Sequence, residues 1–308
     1  MTAWPQIPDD VVSWFRQVFA DANKQVCERL VNVPNIRETS LDDGLIEALI
    51  PDSAPMLLPS GAIVRMDTHN IGGLRRLGGP SWDFPMRSKW ETADIAILVF
   101  VYRGDKLVAK KIGLLQSKRL FPSNNDVDDE DEFGFRSGMN AFIGRDGQQA
   151  VGALHRDFSF TEDCTYSAIH AGAQQLQLID DLNRDFGKAV YYLLYNPHNI
   201  PCSISYPRLE RIRCGEIAVG CRVVDADHVH GALLNLKKGQ SPTYAMLKSA
   251  GEASNWSLET WAADMLLTCK VGEQFTDDRE SRVHYFLERR SGPIGAALAA
   301  SITLPDLE

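Results

Sequence analysis

Near the amino terminus, apolar residues recur every three or four positions, which is the spacing of an amphipathic helix. One such stretch covers residues 9–31, and its apolar positions are Val12, Trp14, Phe15, Val18, Phe19, Val26 and Leu30. A second stretch covers residues 38–50 and stops at Pro51; here Ser40, three residues before Asp43, has the spacing of a helix cap. The pattern therefore predicts two helices, the second beginning near Ser40.

The pattern changes to dense runs of β-branched and aromatic residues at positions 93–102 and 106–118. The turn sequence Arg103-Gly-Asp105 separates the two runs, which predicts a β-hairpin. Both arms are apolar enough to be central strands of a sheet. The preceding residues 51–90 are rich in Gly, Pro and Arg and predict an irregular excursion with a short strand at 62–66.

Helices and strands alternate in the second half of the chain. We predict a helix over 166–188, a buried strand over 187–195 that closes at Asn196-Pro197, a strand over 217–224, and a helix over 257–268 headed by Ser257. No internal repeat or clean linker interrupts this series. We therefore expect an α/β fold in which a central mixed β-sheet is flanked by helices.

The composition is that of a globular protein, with 44% hydrophobic and 24% charged residues. No apolar run reaches the roughly 18–20 residues that a bilayer-spanning helix needs. The amino terminus is acidic and broken by prolines, unlike a secretory signal. The six cysteines include no C-x-x-C pair, which argues against a zinc site or a disulfide scaffold. We expect a reduced, cytoplasmic protein.

The hairpin carries the candidate chemistry. Gln116 and Lys118 are two residues apart, so their side chains share one face of a strand. Asp94 opens the neighbouring arm and can lie beside Gln116. Carboxylate and amide oxygens can hold a divalent ion, and a nearby lysine can orient water and offset charge on a phosphate. The hairpin therefore predicts a metal-dependent phosphodiesterase site, in which the Ser117 carbonyl is an alternative neutral ligand to the Gln116 amide.

Such a site needs a second carboxylate. Glu38, at the head of the second predicted helix, is the candidate, and Glu47 is its rival on the same helix. Glu38 could instead only stabilise the helix amino terminus electrostatically.

The order of these motifs resembles a known family. The order resembles that of the restriction-endonuclease-like PD-(D/E)xK superfamily, in its Mrr-like Q-x-K branch. The matching segments are Glu38-Thr-Ser-Leu, Thr92-Ala-Asp94, Leu115-Gln-Ser-Lys-Arg119, the Gln-bearing helix around Gln175, and the strand 190–195 with Asn196-Pro197. The similarity covers residues 36–225 and extends to nuclease domains of bacterial antiphage defence systems. It implies a restriction-endonuclease-like core with insertions within residues 1–225. Residues 226–308 are expected to form a helical extension packed on the same domain.

The resemblance implies a magnesium-dependent endonuclease that hydrolyses DNA and acts as a defence effector, with Mn²⁺ as an alternative metal. Glu38, Asp94, Gln116 and Lys118 would be catalytic, and the first three would hold the metal. Candidate nucleic-acid contacts are Lys110, Lys111, Arg119 and Gln175, although any one such residue taken alone is more often part of a solvated face.

Two alternatives remain open from the sequence. An RNase on the same fold is one, since nothing here distinguishes a 2′-hydroxyl. A non-catalytic nucleic-acid-binding or assembly subunit is the other, and the formal net charge of −9 favours it because phosphate binding depends on Lys and Arg. The acidic run 126–132 follows Lys118 closely and could compete with phosphate for basic side chains. We therefore predict a restrained nuclease that is released by self-association or by a defence-system partner.

Overall fold

The computed structural model describes residues 3–70, 93–123, 156–206, 210–249, 254–276, 280, 283 and 294–306. The acidic run 126–132 lies outside these residues, as do residues 71–92, which make up much of the Gly- and Arg-rich segment. That this acidic run competes with phosphate and restrains the nuclease therefore stays a prediction.

A mixed β-sheet of nine strands forms the centre of the fold, and helices flank it, as the sequence predicted for the fold class. In chain order the strands of this sheet are β1 (Met56–Leu57), β2 (Ile63–Asn70), β3 (Ala93–Arg103), β4 (Lys106–Arg119), β6 (Val190–Tyr195), β8 (Arg222–Asp225), β9 (Asn255–Ser257), β10 (Glu273–Gln274) and β11 (Ile294–Leu304). They lie in the order β1-β2-β11-β3-β4-β6-β8-β9, and β10 pairs with β4. Two further strands, β5 (Arg156–Phe160) and β7 (Cys202–Tyr206), pair separately.

The helices are α1 (Asp9–Asn32), α2 (Glu38–Leu49), α3 (Gln174–Phe186), α4 (Ala226–Leu233), α5 (Tyr244–Ser249) and α6 (Leu258–Thr260), the last continuing as a π-helical turn over Trp261–Leu267. The Ser257 side chain caps α6 as expected, accepting a hydrogen bond from the Thr260 N–H. The cap predicted at Ser40 was wrong: α2 already begins at Glu38 and has no side-chain cap, so Ser40 lies within its first turn. None of the described helices is long and apolar enough to cross a membrane.

Helix α3 begins later than the periodicity predicted. Its first residue is Gln174, whereas the prediction began at residue 166. Residues 166–173 instead form turns, in which the N–H groups of Tyr166 and Ala171 donate to carbonyls of Pro242 and Gln240. Gly172 adopts a positive φ of 75°, which lies outside the right-handed helical region. No helix can therefore run through Gly172 into α3.

The predicted hairpin is present and central. Strand β3 pairs antiparallel with β4, so that Ile95 faces Leu115. Strand β4 pairs on its other edge with β6 in parallel, so that Lys118 faces Leu194. Residues 111–119 of β4 are all buried, including the polar ones. The carboxyl end of β4 therefore carries polar groups into the protein interior.

The two faces of the sheet can be distinguished at β6. The Tyr195 hydroxyl donates to Asp42 of α2, whereas the Tyr192 hydroxyl lies 3.1 Å from His230 Nε2 of α4. Because alternate residues of a strand point to opposite faces, α2 covers the Tyr195 face and α4 covers the Tyr192 face.

The carboxyl-terminal segment differs from the helical extension that the sequence predicted. It supplies helices, but it also supplies β11, which lies between β2 and β3, antiparallel to the first and parallel to the second. Leu298, Ala300 and Ile302 of this strand are fully buried. The strand is rich in alanine, which has low β propensity, and this explains why the sequence pattern did not indicate it.

Candidate active site

Asp94 and Gln116 lie side by side where β3 begins and β4 ends. The Gln116 amide Nε2 donates a hydrogen bond to Asp94 Oδ2. The Ser117 backbone N–H donates to the same oxygen over 2.7 Å. The β3–β4 register that places Ile95 opposite Leu115 brings these groups together, as the hairpin geometry predicted.

Helix α2 brings Glu38 to the same place. The Lys118 Nζ donates to Glu38 Oε1 over 3.3 Å, and the Arg119 backbone N–H donates to Glu38 Oε2 over 2.9 Å. Its rival Glu47 is exposed, and its Oε2 lies 3.1 Å from Arg29 Nη1. Of these two carboxylates, the structure therefore brings only Glu38 into contact with the hairpin.

Arg119 holds the segment that leads into α2. Its guanidinium is buried and donates hydrogen bonds to the backbone carbonyls of Pro34, over 2.7 Å, and of Ile36. It also lies over the Phe121 ring, 4.3 Å from the ring centroid. Since two of its donors serve the turn just before Glu38, Arg119 positions that carboxylate rather than facing solvent, where a nucleic-acid contact would lie.

The sequence interpretation missed three further residues of the cluster. Asp42 Oδ1 accepts a hydrogen bond from the Tyr195 hydroxyl over 2.6 Å. Asp42 Oδ2 and Asp94 Oδ2 each lie 3.0 Å from the Ser117 hydroxyl. Asp42 could have been found, because it lies one helical turn after Glu38 on the same face. For Ser117 the sequence analysis considered only the backbone carbonyl, because strand alternation points its side chain away from those of Gln116 and Lys118.

The Ser117 hydroxyl has a single hydrogen and two carboxyl oxygens to satisfy. Both contacts can be hydrogen bonds at once only if one of the two carboxyl groups carries a proton and donates it to the Ser117 oxygen. Asp42 is the better site for that proton, because hydrogen bonds from the Gln116 amide and the Ser117 N–H stabilise the charged form of Asp94. In this arrangement Asp42 is neutral and donates to the Ser117 oxygen. The Ser117 hydroxyl in turn donates to the charged Asp94.

The electrostatics of the cluster favour uptake of positive charge. Burial, reinforced by the charge of Asp94, raises the pKa of Asp42 well above its usual value. Burial also raises the pKa of Asp94 and of Glu38, against the opposing attraction of Lys118. Three carboxyl groups thus surround one ammonium group, a surplus of acid that a proton or a metal ion would neutralise.

The donor set fits a hard divalent cation. The Gln116 Oε1 atom is buried and has no hydrogen-bond partner within the described structure, although its Nε2 is used. An unpaired buried carbonyl oxygen beside a carboxylate is what a neutral metal ligand requires. Asp94, Glu38 and Gln116 would supply two carboxylates and one amide, all oxygen donors. Among the described residues, no group of three or more His, Cys, Asp or Glu side chains is arranged to hold a metal.

The remaining nucleic-acid candidates lie away from this cluster. The Lys110 Nζ donates to Glu280 over 2.9 Å, and the Lys111 Nζ lies 3.0 Å from Cys269 Sγ. At about 3.3 Å per residue, Lys111 is roughly 23 Å along β4 from Lys118. Gln175 lies in the first turn of α3, which packs against β6 and α4. The structure does not bring these three residues to the carboxylate cluster.

Comparison of the chain with protein-family models, with curated proteins and with solved structures found no match. The resemblance to the PD-(D/E)xK superfamily therefore stays a prediction. Three features of the cluster itself point to chemistry: its surplus of acid, its buried lysine and its unpaired amide oxygen.

Proposed function

We propose that the protein is a metal-dependent phosphodiesterase that cleaves DNA internally. The observation that carries the proposal is the contact of Asp94, Gln116, Lys118 and Glu38 in one mostly buried cluster. A buried lysine among three carboxyl groups has a large desolvation cost, and such groups concentrate at functional sites.

Asp94, Glu38 and the Gln116 Oε1 atom would hold the ion, with Mg²⁺ as the expected metal and Mn²⁺ as the alternative. When bound, such an ion supplies Lewis acidity toward a phosphoryl oxygen and lowers the pKa of its water. The Lys118 ammonium, which lies 3.3 Å from Glu38 Oε1, would orient the attacking water and offset negative charge on the phosphate.

The cluster is held rigid before any substrate arrives. Asp94 Oδ2 accepts from the Gln116 amide, the Ser117 N–H and the Ser117 hydroxyl, so its carboxylate has little rotational freedom. Glu38 is held by Lys118 and by the Arg119 backbone. Such preorganisation reduces the cost of reaching the reactive geometry.

DNA as the substrate, and a role in bacterial antiphage defence, rest on the sequence resemblance. The carboxylate cluster is equally suited to an RNA phosphodiester, so RNA cleavage is an alternative outcome of the test. The unpaired Gln116 oxygen argues against a non-catalytic scaffold, because a site retained only for packing gains nothing from a buried unsatisfied group.

The test is a substrate panel. Purified protein is incubated with supercoiled plasmid, single-stranded DNA and structured RNA, each with Mg²⁺, with Mn²⁺ and with EDTA. The proposal expects plasmid nicking or linearisation with either metal and none with EDTA. Cleavage of RNA alone would correct the substrate, and no cleavage of any polymer with either metal would overturn the proposal.

A further inference from the structure

A cavity of about 710 Å³ lies beside β6, on the face of the sheet opposite α2. Its walls include Leu194, Arg222, Tyr244, Lys248 and Asn255. Cavities of this size are in the range that binds small organic ligands, which is roughly 300–1,000 Å³.

The cavity lies one strand away from Lys118, at β6 and β8, whereas the Lys118 ammonium itself contacts Glu38 of α2. Leu194 is the register partner of Lys118 across β4 and β6, and of Arg222 across β6 and β8. Register partners on neighbouring strands point to the same face and lie about 4.8 Å apart. Lys118, Leu194 and Arg222 thus form a row across three strands, with the two cationic residues about 10 Å apart at the backbone.

Arg222 is available to an anionic ligand. Its one hydrogen bond within the described structure runs from Nη2 to the Ala218 carbonyl over 3.4 Å, and no described carboxylate pairs with it. The other cation of the cavity, Lys248, is 3.0 Å from Glu162. The guanidinium can hold a phosphate through two hydrogen bonds, which suits it better than lysine for that task.

The cavity also offers groups that match a nucleobase. The Asn255 Oδ1 atom is buried without a hydrogen-bond partner in the part of the chain that is described, while its Nδ2 donates to the Leu247 carbonyl over 3.4 Å. This oxygen can accept from a base N–H. Burial raises the pKa of Tyr244, so its phenol is a neutral donor for a base or phosphate oxygen.

We propose that this cavity binds a nucleotide of the strand being cleaved, with Arg222 on a backbone phosphate and the Asn255 oxygen on the base. The inference rests on the proposed function, because it places the scissile phosphate at Lys118. Because Lys118 and Arg222 are only two strands apart, the bound nucleotide would lie close to the scissile bond on the same strand. The cavity would then fix the position and direction of the strand.

The test measures binding separately from cleavage. Fluorescence anisotropy in EDTA follows a labelled ten-nucleotide oligo(dT) on the wild type, on Arg222→Gln and on Tyr244→Phe. Arg213→Gln is the matched control, because Arg213 is exposed and pairs with Glu28. We expect Arg222→Gln to weaken binding about tenfold and to reduce the salt slope by about 0.7, the value for one phosphate contact on a single strand. Tyr244→Phe, which removes one oxygen, should weaken binding about threefold through one lost hydrogen bond.

Other outcomes distinguish a failure of the cavity proposal from a failure of the proposed nuclease function. If the wild type cleaves but Arg222→Gln and Tyr244→Phe bind and cleave as it does, the cavity inference is overturned and the nuclease proposal stands. If the oligonucleotide binds through Arg222 but the wild type cleaves nothing, the nuclease proposal fails and the strand-binding cavity stands. If free thymidine monophosphate binds as tightly as the oligonucleotide and with the same dependence on Arg222, the ligand is a free nucleotide and the strand assignment is overturned. In cleavage, Arg222→Gln should raise KM and leave kcat nearly unchanged.

Discussion

Replacing Asp42 with asparagine tests the proton arrangement inside the carboxylate cluster. Asparagine can keep every contact that protonated Asp42 makes: its Oδ1 would accept from Tyr195, now at 2.6 Å, and its Nδ2 would donate to the Ser117 oxygen, now at 3.0 Å. The Ser117 hydroxyl would then donate permanently to Asp94. The substitution therefore removes the charge that Asp42 can acquire and preserves its hydrogen bonds.

The size of the effect follows from the spacing of the two acids. Asp42 Oδ2 and Asp94 Oδ2 share the Ser117 hydroxyl, so these two oxygens are at most about 6 Å apart. Two full charges at that separation repel by about 3 kcal/mol at an effective dielectric constant near 20. The folded pKa of Asp42 is raised above the unfolded value, so the folded state binds the proton more tightly. Wild-type stability is therefore lost as pH rises from the ordinary aspartate pKa through the raised folded value.

The assay is urea unfolding in EDTA at pH 5 and at pH 8. We expect Asp42→Asn to be more stable than wild type at pH 8 by about 1–3 kcal/mol, and the difference to shrink at pH 5. Asp43→Asn, at an exposed position next in the chain, controls for the loss of one acid and should show no such pH dependence. The proton arrangement is wrong if Asp42→Asn is less stable than wild type at pH 8, or if the difference is the same at both pH values.

Three further predictions concern the ligands and their support. Gln116→Glu should retain metal-dependent cleavage and Gln116→Ala should lose it, and equal rates in a plasmid assay would mean that Gln116 only packs. Glu38→Gln should lower the cleavage rate by about 100-fold, equivalent to about 2.7 kcal/mol, whereas Glu47→Gln should leave the cleavage rate unchanged. Similar cleavage rates for these two variants would mean that Glu38 is not part of the active site. Arg119→Lys should lower the free energy of unfolding by about 1–3 kcal/mol, because lysine cannot satisfy both buried carbonyls before α2; an unchanged urea midpoint would contradict this role.

The sequence predicted the hairpin well because its signals were local. Alternation, a turn at Arg103-Gly-Asp105 and the dense apolar arms together placed Asp94 beside Gln116 without any long-range information. The sequence also offered Glu38, because it lies at the head of the second predicted helix, and the structure brings it into contact with β4. The choice between Glu38 and Glu47 needed the structure, because both lie on one helix and only packing decides which faces β4.

Other features depended on long-range packing that the sequence pattern does not show. Strand β11 is rich in alanine and enters the sheet between strands that precede it by about 200 residues along the chain. Arg119 was interpreted as a nucleic-acid contact because burial cannot be recognised from one basic residue. Its acceptors, the Pro34 and Ile36 carbonyls, lie far away in sequence.

Cleavage of supercoiled plasmid by Asp94→Asn decides whether Asp94 serves a metal-dependent phosphodiesterase. Asp94 accepts three hydrogen bonds within the cluster and would be the principal metal ligand, while asparagine keeps the shape and removes the charge. Initial rates are compared for wild type, Asp94→Asn and the exposed control Asp43→Asn, with Mg²⁺ and with EDTA, after circular dichroism has shown that all three are folded. The account predicts cleavage by wild type and Asp43→Asn in Mg²⁺ alone, and a loss of at least about 1,000-fold in Asp94→Asn, equivalent to about 4 kcal/mol. Magnesium-dependent cleavage by folded Asp94→Asn at the wild-type rate would contradict it.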